Sequence, residues 1–332
     1  MEFHAEFFPK SFSSKINHQQ KLLLIGSCFT EQIGAKLSWH KFDTFENPNG
    51  ILFNPVSIWK SLERYATGIA YTKDDLFKFN GVWGSWDHHT RFSSISTEEC
   101  LKKINASLIR GREFLIQAKW ILITLGSAFV YERRDILSGP EYPQAVANCH
   151  KIPAEKFNRR LLPSEEVEKI LSKMIAVIHK MNPSANIIFT ISPVRHLREG
   201  FIENNRSKAA LIQAVHQVVN EDQVFYFPSY ELVIDDLRDY RFFAEDMAHP
   251  NYAATNYVWE KFSIAVIDEP SRDLMKTIAG IMQARNHKPF NPESDQHKKF
   301  LQDNLIKIKL LRETHPYLNF EEEEHFFESG LE

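Results

Sequence analysis

The chain has 332 residues, of which 43% are hydrophobic and 25% charged, with a formal net charge of -3 at pH 7. That length suits one large domain or two smaller ones, and the near-balanced charge gives no basis for binding nucleic acid or an anionic membrane surface. Three cysteines, Cys28, Cys100 and Cys149, are too few and too odd in number for a disulfide framework, which predicts a reducing, cytoplasmic compartment. The opening Met1-Glu2-Phe3-His4-Ala5-Glu6 lacks the basic region and apolar run of an export signal. No stretch approaches the roughly 18 apolar residues of a membrane span.

The first apolar run, Lys21–Ile25, reads as a buried strand; it stops at Gly26-Ser27-Cys28 and a helical pattern follows at once. From His40 to about Thr97 the rhythm breaks into turn signals, among them Asn47-Pro48-Asn49-Gly50, Phe53-Asn54-Pro55 and Asn80-Gly81. Trp120–Leu125 is a second strand, and residues 131–162 form another irregular stretch of the kind that walls a pocket. Ser164–Met181 repeats Val167, Ile170, Leu171, Met174, Ile175 and Ile178 at helical spacing behind a Pro-Ser-Glu-Glu start. Asn186–Ile191 and Gln223–Phe227 are further strands, and all four runs are expected to be inner strands of a parallel sheet. Helices are expected over Asn205–Val219 and Tyr252–Val266. This alternation predicts a doubly wound α/β domain over residues 1–268. Residues 269–332 read as a charged helical extension that packs on the domain or on a partner subunit in a homo-oligomer; within it Lys298–Arg312 is amphipathic.

A hydroxyl at an abrupt strand-to-helix turn stands clear of the sheet beside helix N–H groups that favour negative charge. Ser27 therefore reads as a nucleophile as well as a helix cap. Cys28 competes for the role, because a helix start lowers a thiol pKa, but Ser27 follows the strand directly. Far downstream, Asp246 and His249 stand three apart in Asp246-Met247-Ala248-His249-Pro250-Asn251. On one turn of helix that spacing brings carboxylate to imidazole, as the orientation of a general base requires. Pro250 then reads as the start of a helix.

Gly26-Ser27-Cys28-Phe29-Thr30 resembles the signature that names the GSCFA family, with Thr30 where the name has Ala. Residues 47–55, Ala147-Asn148-Cys149-His150-Lys151-Ile152-Pro153 and Ser192-Pro193-Val194-Arg195-His196 resemble further family segments, so that the likeness spans most of residues 20–265. The family is similar to the SGNH/GDSL hydrolases. The resemblance implies a three-layer αβα fold of flavodoxin-like type, with Ser27 as nucleophile and Asp246 and His249 as the closing Asp-x-x-His. It also implies an esterase or deacetylase acting on O-acyl groups, such as those of carbohydrates, with no cofactor. Where those hydrolases carry a Gly-x-Asn whose amide serves the oxyanion hole, this chain has Leu125-Gly126-Ser127-Ala128-Phe129. The remaining oxyanion candidates are the Ser27 backbone N–H, Gly50, Asn54, Ser127 and Asn148.

His150 and His196 are expected to contact substrate, and Arg195 to pair with a substrate anion or to buttress its strand. Trp83, Asp87 and His88, with Trp86 and Arg91, form a polar-aromatic cluster that suits either a sugar ring or a packed loop. Two rival functions stand beside ester hydrolysis. One is a catalytically degenerate binding protein, favoured by the missing amide. The other is a metal-dependent hydrolase built on His88, His89, His150, His196, His249, Asp87 and Asp246.

Overall fold

Leu22 to Ile25 are fully buried on both faces, which a strand achieves only inside a sheet covered on both sides. The computed structural model, which describes residues 5–136, 141–142 and 144–331, supplies that cover. Residues 1–4 of the opening segment discussed above lie outside the described residues. In chain order the elements are β1 (Lys21–Gly26), α1 (Cys28–Trp39), β2 (Asp43–Glu46), α2 (Pro55–Thr67), β3 (Leu76–Phe79), β4 (Val82–Ser85) and α3 (Thr97–Gln117). Then come β5 (Trp120–Leu125), β6 (Phe129–Arg133), β7 (Ala145–Val146), β8 (Phe157–Leu161), α4 (Ser164–Met181), β9 (Asn186–Ile191), α5 (Phe201–Val218) and β10 (Val224–Phe227). A one-turn α6 (Ser229–Glu231), α7 (Tyr252–Val266), α8 (Glu269–Arg285), α9 (Asp295–Thr314) and α10 (Glu321–Ser329) complete the chain.

The main sheet is five parallel strands in the order β10-β9-β5-β1-β2. Counted along the chain within this sheet, that is the flavodoxin-like doubly wound order, and it reverses direction between β1 and β5. Side chains alternate across it with the two-residue strand period. Leu23, Ile25, Ile121, Ile123, Ile187 and Phe189 pack under α2, α3, α4 and α5. Leu22, Leu24, Trp120, Leu122, Ile188 and Phe225 face α1 and α7. The chain thus makes three layers.

The expected elements are found over Trp120–Leu125, Ser164–Met181, Asn186–Ile191 and Tyr252–Val266. Three expectations are corrected. Val224–Phe227 is an edge strand, not an inner one. Residues 131–162 are not irregular throughout: they hold much of an antiparallel sheet, β7-β6-β8. The 40–97 stretch likewise contains β2 and the β3–β4 hairpin. These strands are short, and several mix polar with apolar residues, so the apolar run that marks a buried parallel strand is missing from them.

The C-terminal helices α8, α9 and α10 enclose a core of their own around Ile278, Ile281, Leu301, Ile308, Phe320 and Phe327. They pack on the domain: Glu323, wholly buried, accepts from Lys41 at 2.6 Å and from Arg285 at 2.7 Å. Lys41 lies just beyond the end of α1, so this pair clamps α10 to the αβα layers. No described helix is long and apolar enough to cross a membrane.

The exit from β1 is the tightest point of the fold. Gly26 has φ +148°, and a Cβ there would stand 2.2 Å from the Thr124 carbonyl oxygen of neighbouring β5. Backbone strain and overlap with a backbone atom act together at this position. Gly26→Ala should therefore lower the unfolding free energy by about 3 kcal/mol or more, read as a fall in the urea midpoint with an unchanged slope.

Candidate active site

Because no side chain holds β1 away from β5, the chain can turn sharply after Gly26. Ser27 donates its backbone N–H to Thr124 O at 3.2 Å. Its Oγ caps α1 by accepting the Phe29 N–H at 3.3 Å. The Gly26 N–H goes to Asn47 Oδ1 at 2.8 Å, which braces the turn from the β2 side. Ser27 is fully buried, and its hydroxyl hydrogen has no acceptor among the described residues. Cys28 opens α1 and is half-buried. Burial raises its thiol pKa despite the nearby helix N–H groups, and the Glu31 carboxylate adds to the rise. The competing nucleophile is thus held as the weakly nucleophilic thiol.

Asp246 and His249 do meet, but not on a helix. They sit in a turn between Phe243 and Pro250, with Met247 at φ +56°. Asn251, not Pro250, caps the next helix, which starts at Tyr252. Asp246 Oδ1 accepts the N–H groups of Ala248 and His249, both at 3.0 Å, and its Oδ2 binds His249 Nδ1 at 2.6 Å. The backbone N–H groups of His249 and Ala248, and then the imidazole, pull the Asp246 pKa down to about 2. An ionised carboxylate on Nδ1 keeps the proton there and leaves Nε2 as the basic nitrogen. His249 Nε2 has no partner among the described residues, and the side chain is half-exposed. The turn is tied to the carboxyl end of β9 through the Arg195 N–H on Ala248 O, 3.1 Å. Both segments therefore lie at the strand ends, where doubly wound sheets bind ligands.

A cavity of about 320 Å³ opens at this edge; Phe53, Asn54, Ser127, Asn148, His150 and His196 are among its lining residues. The oxyanion candidates differ in what they have free. The Ser27 and Gly50 N–H groups are engaged by Thr124 O and Asn47 O. Ser127 Oγ is shared with Ser207 Oγ and the Phe129 N–H. Asn54 and Asn148 use only their amide oxygens, on the N–H groups of Ser57 and His150. Their NH₂ groups have no partner among the described residues. His196 Nε2 is buried and makes no hydrogen bond among the described residues. Burial, the Lys208 ammonium and His249 push its pKa down to about 3, so the ring is neutral. His150 is anchored by Nε2 on Ser85 O at 2.9 Å, and burial lowers its pKa. Arg195 stacks its guanidinium over Phe243.

The rest of the predicted pocket falls elsewhere. Trp83 pairs with Ser94 through its backbone. Asp87 is bound by Lys60 at 3.0 Å, and His88 is a core residue bonded to Ser85 Oγ. None of these three lines the cavity. Among the described residues no three His, Cys, Asp or Glu side chains come together as a metal-binding group.

Sequence reading missed the inward face of α5. Asn204 accepts the His196 N–H at 2.9 Å, and Ser207 accepts the Ala128 N–H at 2.7 Å. Lys208 Nζ donates to Gly126 O at 2.6 Å and to Ser192 O at 2.7 Å. All three side chains are buried. Their signal was present: polar residues at positions i, i+3 and i+4 continue the stripe of Leu211, Ala214 and Val215 that faces the core.

The fold and this edge define a doubly wound α/β protein with its candidate site at the strand-order reversal. The chain belongs to the GSCFA family, whose pattern matches residues 21–262, and the C-terminal domain of GSCFA domain proteins matches residues 278–332. Solved structures similar to it include a carbohydrate esterase family 3 protein from Talaromyces cellulolyticus (8% identity, TM-score 0.35, covering 79% of this chain and 99% of that one). Another is an acetyl esterase mutant with acetate ion (9% identity, TM-score 0.36, covering 79% and 99%). A comparison with curated proteins found no match.

The burial of His88 makes a prediction about pH. Burial pushes its pKa down to about 4, against roughly 6.5 for a free imidazole. Between those values the unfolded chain binds the proton and the folded chain does not. The contribution of His88 to stability is therefore complete above about pH 6.5 and is lost as pH falls towards 4, by on the order of 3 kcal/mol. His88→Phe should make this part of the curve shallower when urea midpoints are compared across that range, the remaining slope coming from His18 and His196, whose pKa values burial also lowers.

Proposed function

We propose that the protein is a serine ester hydrolase of SGNH/GDSL type that removes O-acyl groups, carbohydrate acetyl esters being the favoured class. The observation that carries the reading is the 2.6 Å bond between Asp246 and His249 Nδ1, with Nε2 unpartnered among the described residues, at the same sheet edge as the strand-end Ser27. In this reading Ser27 Oγ attacks the ester carbonyl and His249 Nε2 takes the hydroxyl proton. Asp246 holds the imidazole in its tautomer and stabilises the imidazolium. The tetrahedral oxyanion is met by the free amides of Asn54 and Asn148, which substitute for the absent Gly-x-Asn. Collapse breaks the ester C–O bond, and His249 returns the proton to the leaving alcohol oxygen. Water then attacks the acyl-Ser27 ester and gives His249 a proton, which passes back to Ser27 as the carboxylic acid leaves.

One observation favours a second reading, a ligand-binding protein without turnover: Ser27 is fully buried, and no hydrogen bond joins it to His249 among the described residues. Steady-state hydrolysis of an aryl acetate and of an acetylated sugar separates the two. For the hydrolase, Ser27→Ala and His249→Ala should each lower kcat by about 1,000-fold or more with little change in KM, and Asp246→Asn should also lower it steeply. A folded protein without Ser27-dependent turnover of either ester, yet binding the acetylated sugar in calorimetry, would establish the second reading.

A further inference from the structure

The inward face of α5 carries an ionisable group that the proposed reaction does not use. Lys208 is 1% exposed. A buried ammonium costs several kcal/mol in desolvation, so a helix position among Leu211, Ala214 and Val215 would ordinarily hold an apolar side chain. Burial lowers the Lys208 pKa to about 7. Two of its three donors are spent on strand-end carbonyls, Gly126 O beyond β5 and Ser192 O beyond β9. The third makes no hydrogen bond among the described residues, and the ammonium lies 5.9 Å from the centroid of the Tyr230 ring. Its charge is felt at the cavity-lining His196, whose pKa it depresses.

We propose, resting on the hydrolase reading, that Lys208 is a positioning residue for the reaction at Ser27. It ties the carboxyl ends of β5 and β9 together through Gly126 O and Ser192 O, the strand ends from which the cavity-lining Ser127 and His196 follow. Asn204 and Ser207 complete the device from the same helix face. Asn204 holds the His196 backbone, and Ser207 holds Ala128 and Ser127, so that α5 fixes two sides of the cavity. Gly126 shows why the spacing is strict. A Cβ there would stand 3.3 Å from His196 Nε2 and 3.1 Å from the Phe53 ring, so a shift of an ångström in this strand end would reshape the cavity. Misplacement on that scale costs about 100-fold in rate.

The test is kinetic, with competent sites counted. Wild type, Lys208→Met, Lys208→Gln and Ser207→Ala are assayed on an aryl acetate, and each rate is divided by the sites titrated with a fluorophosphonate. Ser27→Ala is the control for the underlying reading. Counting sites removes the loss that a merely less stable protein would show. The expected result is kcat per titrated site lowered about 10- to 100-fold in Lys208→Met, KM within about threefold of wild type, and partial recovery in Lys208→Gln, whose amide can still donate to a strand-end carbonyl. If Lys208→Met does not fold, Lys208→Gln and Ser207→Ala decide, each with a smaller fall in kcat at unchanged KM. Wild-type kcat per site in the folded variants, with Ser27→Ala inactive, would overturn the role of Lys208 and leave the hydrolase standing. A wild type with no Ser27-dependent turnover would overturn both.

Discussion

The candidate site depends on the contact between Gly26 and Thr124. β1 and β5 are neighbours at the place where the strand order reverses, and Gly26 pairs with Thr124 in their register. With no side chain at Gly26, the chain leaves β1 against the β5 backbone, turns at once, and starts α1 one residue later. Ser27 is then fixed three ways, by its N–H on Thr124, its cap on Phe29 and the Asn47 brace on Gly26. A Cβ at Gly26 would force the strands apart or move the turn, and everything aimed at Ser27 would lose its reference point.

Around that point the electrostatics divide the labour. Asp246 is exposed yet held ionised by two backbone N–H groups and one imidazole, so its charge survives well below neutral pH. His196, Cys28 and His88 are pushed by burial towards their uncharged forms. Of these three only His196 lines the cavity, where it is an uncharged group beside the charged Lys151, Arg198 and Glu199, while the oriented His249 is half-exposed.

The sequence disclosed the elements whose burial is uniform. β1, β5 and β9 are continuous apolar runs because both faces of the sheet are covered, and α4 is periodic because one face is. β2 and the β3–β4 hairpin are hidden because they are short and partly solvated, so that turn residues dominate their windows, and β7 because it is buried but only two residues long. The Asp246–His249 pair was found for an incomplete reason: its spacing suggested a helical turn, whereas a carboxylate accepting the backbone N–H groups two and three residues ahead brings the same side chains together in a loop. The α5 stripe was overlooked because Asn204, Ser207 and Lys208 look like a solvated face. Only the packed structure shows that they point inward, where strand-end backbone groups satisfy them.

The central claim is that Ser27 is activated by His249. The direct measurement is the rate at which a fluorophosphonate phosphonylates the native protein, with the modified residue located by mass spectrometry and the rate repeated in His249→Ala. The account predicts modification at Ser27, with the rate constant collapsing when His249 is removed. Modification that spares Ser27, or a rate indifferent to His249, would contradict it.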